Sequence, residues 1–132
     1  MATAGDVVRD FCAAIDRRDL AKVKSLLDED VVYHNIGSEP ALGREASVAA
    51  VKLQFDMFDP ISFRIRNLAE DGDIVLTERV DEVTANAVMA PVPVMGTFEV
   101  KDGRIRQWRD YFDMGLTARL VGGENVASLL PH

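Results

Sequence analysis

The sequence predicts an α+β fold, with a curved, mostly antiparallel sheet and helices closing a deep apolar pocket on its concave face. Three observations predict it. Apolar residues recur at helical spacing in the first part of the chain, the later part alternates with a period of two, and Asp-Gly turns join the later strands.

The elements follow in order. Residues 4–17 read as a helix, because Val7, Val8, Phe11, Cys12 and Ile15 share one face. Residues 19–27 form a shorter helix that gathers Leu20, Val23, Leu26 and Leu27 and ends at Asp28-Glu29-Asp30. Residues 31–36 read as a strand stopped by Gly37 and Pro40, and residues 43–57 as an Ala-rich helix. From Ser62 the period changes to two, with Phe63, Ile65 and Asn67 opposite Arg64, Arg66 and Leu68. Asp71-Gly72-Asp73 turns the chain into a long strand over residues 74–85. Pro91 and Pro93 punctuate the next stretch, so a strand is read at 92–101, which leaves a short connection before it. Asp102-Gly103 is a second hairpin turn, leading into a strand over 104–114. Residues 116–121 can form a short helix, broken by Gly122-Gly123. Consecutive hairpins make the meander antiparallel.

The chain has 132 residues, which is one domain's worth, spanning 1–132. Hydrophobic residues make up 48% and charged residues 28%, ordinary globular values that exclude a disordered or fibrous chain. With 15 basic residues against 22 acidic ones and a net charge of −7, the charge balance argues against nucleic acid and anionic membrane as partners. The longest apolar stretch, residues 87–95, carries two prolines, so no membrane span is expected. The first residues lack a basic segment followed by an apolar core, and Cys12 is the single cysteine. A cytoplasmic location is expected.

Three strand segments hold polar residues two apart: Tyr33 and Asn35, Arg79 and Asp81, Trp108 and Asp110. Residues i and i+2 of a strand point to the same face, so each pair projects together. If all three pairs face the enclosed side, they converge in one cavity. A buried carboxylate is costly unless paired, and Arg79 could bridge Asp81 and Asp110. Val75 and Val83 share the phase of Arg79 and Asp81, and Phe112 shares that of Asp110. Thr77, Arg104 and Arg106 also share these phases, nearer the strand starts. The opposite face of strand 74–85 carries Ile74, Leu76 and Val80, and is expected to pack against something, such as a second subunit.

These residues carry a family resemblance. Tyr33-His34-Asn35, Pro40-Ala41-Leu42-Gly43-Arg44-Glu45-Ala46, Thr77-Glu78-Arg79-Val80-Asp81, Gly96-Thr97-Phe98, Asp102-Gly103-Arg104-Ile105 and Trp108-Arg109-Asp110-Tyr111-Phe112-Asp113 occur in order over residues 30 to 114. Together they resemble limonene-1,2-epoxide hydrolase. The resemblance implies a cystatin-like cone fold, shared with ketosteroid isomerase, polyketide cyclases and nuclear transport factor. It implies a homodimer, a small lipophilic epoxide as substrate, and no cofactor or metal. It further implies that Asp110 is the general base toward a water held by Tyr33 and Asn35. Asp81 would then be the general acid on the epoxide oxygen, Arg79 would orient both aspartates, and the Trp108 indole N–H would help hold Asp81. Water would attack directly, without a covalent enzyme intermediate.

The chemistry has its own logic. Epoxide opening needs a nucleophile on carbon and a proton on the departing oxygen. One carboxyl must be ionised while the other is protonated. Two carboxyls sharing one arginine in a dry pocket meet that need, and they titrate as a pair. An apolar lining of Val83, Val92, Val94, Phe98 and Phe112, with Trp108 and the helix residues Leu116 and Leu120, would receive a lipophilic substrate. An epoxide-opening cyclase would use the same pair with a substrate hydroxyl as nucleophile. A ketosteroid-type isomerase would need only one carboxylate and an oxyanion hole, and a hydrophobic-ligand carrier would need no paired aspartates.

The remaining polar residues have plainer readings. His34 and Asp113 have the opposite parity to Tyr33 and Asp110, and His132 is terminal. Cys12 lies on an apolar helical stripe as an inert thiol. Two histidines and one cysteine far apart give no zinc pattern, and nothing after Gly122-Gly123 completes a phosphate loop.

Overall fold

Three of the four α-helices begin at a polar side-chain cap. In the computed structural model, which describes residues 2–132, Thr3 and Asp6 bond reciprocally to each other's backbone N–H and start α1 (Ala4–Asp16). Its stripe of Val7, Val8, Phe11, Cys12 and Ile15 is buried. Asp19 caps α2 (Leu20–Leu26), which runs directly into β1 (Leu27–Asn35). The expected break at Asp28-Glu29-Asp30 is therefore a stretch within β1 in which Asp28 is half-buried and Glu29 and Asp30 are exposed. Leu27 and Val31 are fully buried on either side of it, and Leu27 pairs with Ile105, so the strand starts early. β2 (Ala41–Leu42), a two-residue edge strand, was not legible in the sequence. α3 (Arg44–Met57) follows, then β3 (Ile61–Asp71), β4 (Ile74–Ala85), β5 (Val88–Lys101), β6 (Arg104–Tyr111) and α4 (Met114–Val121).

The strands form one curved, unclosed sheet in the order β2-β1-β6-β5-β4-β3. Every pairing is antiparallel except β1 with β6, so the sheet is mixed. That parallel pair matters for the site, because it sets Tyr33 beside Trp108 and Asn35 beside Asp110.

Two strand expectations are corrected. β5 begins at Val88, joined to Ala85 by a two-residue turn in which Asn86 and Ala87 both have positive φ (52° and 63°). Pro91 and Pro93 lie inside the strand and do not precede it. β6 flanks β5 only as far as Met95, so the earlier half of β5 is an edge on that side, where a missing N–H is tolerated. β6 in turn ends at Tyr111, because Asp113 turns the chain by capping α4 through the Leu116 N–H.

A strict period of two also fails twice. Ile65 pairs with Arg79 but Asn67 pairs with Glu78, so Arg66 is an extra, bulged residue in β3. Asn67 consequently faces outward, bonded to Glu78, while Leu68 packs against the core. In β6, Ile105 pairs with Val100 but Gln107 pairs with Glu99, which makes Arg106 a second bulge. This lets Ile105, Trp108 and Asp110 all be buried while Arg104 and Arg106 stay exposed.

α1 lies against the inner face of β3, and α3 and α4 pack beside β1 and β5. The outer face is partly covered by the C-terminal residues, where Arg66 donates to the His132 carbonyl at 2.9 Å. Leu76, Met89, Met95 and Tyr111 remain about half exposed. Among the described residues, no helix is long and apolar enough to cross a membrane.

Candidate active site

Alternation along β4 turns Val75, Thr77, Arg79, Asp81 and Val83 toward the helices, and all five are buried. Arg79 is the centre of the arrangement. Its Nε donates to Asp81 Oδ1 at 2.9 Å and its Nη2 to Asp81 Oδ2 at 2.8 Å. The same guanidinium donates to Asp110 through Nη1 to Oδ1 at 3.1 Å and Nη2 to Oδ2 at 3.0 Å. The fifth N–H, on Nη1, reaches Thr77 Oγ1 at 3.4 Å, so every donor of the side chain is used. Thr77 itself donates to the Gly96 carbonyl. The guanidinium stacks over Phe63, 4.5 Å from the ring centroid.

Gly96 is what leaves room for this. A Cβ there would overlap Arg79 Nη1, and would lie 2.7 Å from Asp110 Oδ1 and 3.0 Å from Thr77 Oγ1. A side chain at position 96 would occupy the ground on which the arginine meets Asp110.

The electrostatics follow from burial. Two carboxylates and one guanidinium carry a net negative charge, which a dry site disfavours, so one proton on the pair neutralises the cluster. Burial pushes Asp81 up to about 6, against the pull of Arg79 and with added repulsion from Asp110. Burial acts to lower the Arg79 value, but the charges of Asp110 and Asp81 outweigh it and hold the value well above the ordinary one. Arg79 is thus permanently charged, and the mobile proton belongs to the aspartates.

Both aspartates open onto one cavity of about 210 Å³, which Tyr33 and Asn35 also line. Val83, Val92, Val94 and Phe112 are part of its apolar lining, together with Phe63. Phe98 and Trp108 do not line it. Both are fully buried behind it, and Trp108 stacks on Tyr33 at 3.6 Å between centroids, with Phe11 edge-on to it. The Trp108 indole N–H meets no partner among the described residues, so the expected bond to Asp81 is not made. Instead Trp108 fixes the plane of the Tyr33 ring. α4 turns Thr117 and Val121 to the cavity in place of Leu116 and Leu120.

Sequence reasoning missed Gln54, Met57 and Phe58, which bring the end of α3 to the cavity. Gln54 Nε2 donates to Tyr33 Oη at 2.8 Å. A signal for it existed, since Gln54 sits between Val51 and Phe55 on the buried stripe of α3. Burial, reinforced by the charge of Asp110, holds the Tyr33 hydroxyl well above its usual range, offset in part by the amides of Gln54 and Asn35. Burial likewise pushes the Cys12 thiol up to about 12, consistent with an inert packing residue. His34 is engaged with the Ser38 carbonyl, away from the cluster. Among the described residues, no group of three or more His, Cys, Asp or Glu side chains is placed to hold a metal ion.

Comparison with known proteins bears on this arrangement. The family model for the limonene-1,2-epoxide hydrolase catalytic domain matches residues 2–118. Epoxide hydrolase EphG of Mycobacterium tuberculosis is 36% identical over 108 residues, covering 81% of this chain and 71% of that protein. The solved structure of an M. tuberculosis LEH-like epoxide hydrolase superposes with a TM-score of 0.83 at 31% identity, covering 98% of this chain and 96% of that one. A Catenulispora acidiphila protein with a ketosteroid isomerase-like fold, solved with trimethylamine, matches with a TM-score of 0.82 over 92% of this chain and 95% of that one. At 18% identity, that last likeness is one of fold alone.

Proposed function

The chain belongs to the limonene-1,2-epoxide hydrolase family and is an epoxide hydrolase, and from that premise we propose that it converts a lipophilic epoxide to a vicinal diol in one step. The observation that carries this reading is a single buried guanidinium bonded to two carboxylates that face the same cavity.

In this mechanism Asp110 takes a proton from a water held by Tyr33 and Asn35. The water oxygen forms a bond to an epoxide carbon as the ring C–O bond breaks. Asp81 delivers its proton to the departing oxygen. A carboxyl raised to about 6 keeps its proton in about a tenth of molecules at neutrality and in most of them below about 6, and releases it readily, which suits a general acid. The pair ends with the proton on Asp110, and exchange with solvent restores the starting state. Arg79 holds the two carboxyls in register and keeps the cluster from accumulating charge.

A terpene-, fatty-acid- or sterol-like epoxide suits the aliphatic and aromatic wall. The exposed apolar side chains of the outer sheet face support a homodimer, and a lone buried cysteine accords with a cytoplasmic location.

The test is mass spectrometry of products from a panel of terpene, fatty-acid and steroid epoxides in oxygen-18 water. The expected product is a diol carrying one heavy oxygen, absent with Asp110→Asn. An isomer of unchanged mass would move the protein to epoxide-opening cyclases. Tight binding of an apolar ligand without turnover would favour a carrier.

A further inference from the structure

We propose that Gln54 is a positioning residue for the attacking water, because its amide N–H occupies one lone pair of the Tyr33 hydroxyl and turns that hydroxyl's proton toward the cavity shared with Asn35 and Asp110. The inference rests on the reading of Tyr33 and Asn35 as the groups that hold the water.

A phenol has one proton and two acceptor sites. Its O–H lies near the ring plane, in one of two orientations. The Tyr33 ring cannot turn to escape the choice, since it is only 4% exposed and stacked on Trp108 with 10° between planes. Gln54 Nε2 sits 2.8 Å from Oη on one side. An O–H pointing that way would meet another donor hydrogen. The proton therefore takes the other orientation, and Tyr33 becomes a donor to whatever lies in the cavity.

That choice matters for a nucleophilic water. The water gives one hydrogen to Asp110 and the other to an acceptor such as the Asn35 carbonyl. It then receives the Tyr33 proton on one lone pair, which leaves a single lone pair to attack carbon. If Tyr33 were free to accept instead, it would compete with Asp110 for the water's hydrogens and leave its orientation undetermined.

Gln54 is itself held in place. Arg18 donates to the carbonyl of Phe58 at 2.7 Å and to that of Phe55, and its guanidinium lies 5.0 Å over the Phe55 ring. These bonds pin the end of α3, so the amide is presented from a fixed backbone. Gln54 is also uncharged, so it sets a proton's direction without altering the charge balance of the aspartates.

The test is a double-mutant cycle with crystallography beside it. Gln54→Leu removes the donor at similar volume, and should lower kcat about two- to tenfold, the effect of one neutral hydrogen bond. Gln54→Glu replaces the donor with an acceptor for the Tyr33 proton, and should lower kcat further. In a Tyr33→Phe background, Gln54→Leu should cost less than about twofold, because its partner is gone. An unchanged kcat in Gln54→Leu, or an equal loss with and without Tyr33, would overturn the proposal.

Crystal structures of the unsubstituted protein and Gln54→Leu give a readout independent of turnover. A water bonded to Tyr33, Asn35 and Asp110 is expected in the first, and should be displaced or absent in the second. No such water in the unsubstituted protein, or the same water in both, would overturn the role of Gln54. Failure to hydrolyse any epoxide would count against the hydrolase reading, and the crystallographic comparison would still decide Gln54.

Discussion

Each face of the sheet carries an arginine bonded to carboxylates, one joining neighbouring strands on the outer face and one reaching across β5 on the inner face, and the two differ in almost every consequence. On the outer face Arg64 meets Glu82 at 3.2 Å, with side chains 56% and 32% exposed. On the inner face Arg79 meets Asp81 and Asp110 at 2.8 and 3.0 Å, and its side chain is fully buried. The outer pair exchanges water for a partner at little gain. The inner cluster has lost its water, so its charges depend on each other and its proton becomes a functional object. The contrast teaches that residue type nominates a site and desolvation makes it reactive.

The comparison can be pressed hardest at the base. Asp110→Asn should lower kcat about a thousandfold or more, within the range for a lost general base, while the circular dichroism spectrum is kept. Glu82→Gln, on the other face, should leave kcat within about twofold, since its charge is exposed and screened. Equal effects of the two would erase the distinction.

Stability offers the next contrast. Arg79→Met strands two buried carboxylates and should cost about 3–5 kcal/mol in urea unfolding at neutral pH. Arg64→Met should cost less than about 1 kcal/mol.

A geometric version leaves every charge in place. Gly96→Ala puts a methyl group where Arg79 reaches Asp110. A displacement of about 1 Å in such a cluster should lower kcat about a hundredfold, measured under saturating substrate.

The smallest effect is a gradual one with pH. Asp81 must be protonated to act as the acid, so kcat/KM should fall as pH rises through about 6. Its folded value lies above its unfolded one, so the stability it contributes is fully present below the unfolded value. That contribution is lost as pH rises through about 6. Urea midpoints across this window should show the decline, and Asp81→Asn should flatten it.

Much of this was legible beforehand. The capped amphipathic helix α1 declares itself, because a buried stripe needs apolar residues at 3.6-residue spacing. Pairs two apart in strands announced Arg79 with Asp81 and Tyr33 with Asn35. Trp108 was legible as a site neighbour but not as a residue behind the wall, since depth along one inward direction leaves no trace in periodicity. Gln54 was readable only in hindsight, as a polar residue on a buried stripe. Its partner lies 21 residues away on another element.

By itself, the sequence determined the fold class, the order of the helices and of every strand but β2, and that Asp81 shares a face with Arg79. These follow from local periodicity and turn chemistry, which act over a few residues. Only the tertiary structure decided the bulges at Arg66 and Arg106, the parallel register that sets Asn35 beside Asp110, and the close approach of Arg79 and Asp110 over Gly96. Those depend on how distant strands pair and how completely water is expelled between them. Pairing and desolvation are properties of the packed sheet, and no single segment encodes them.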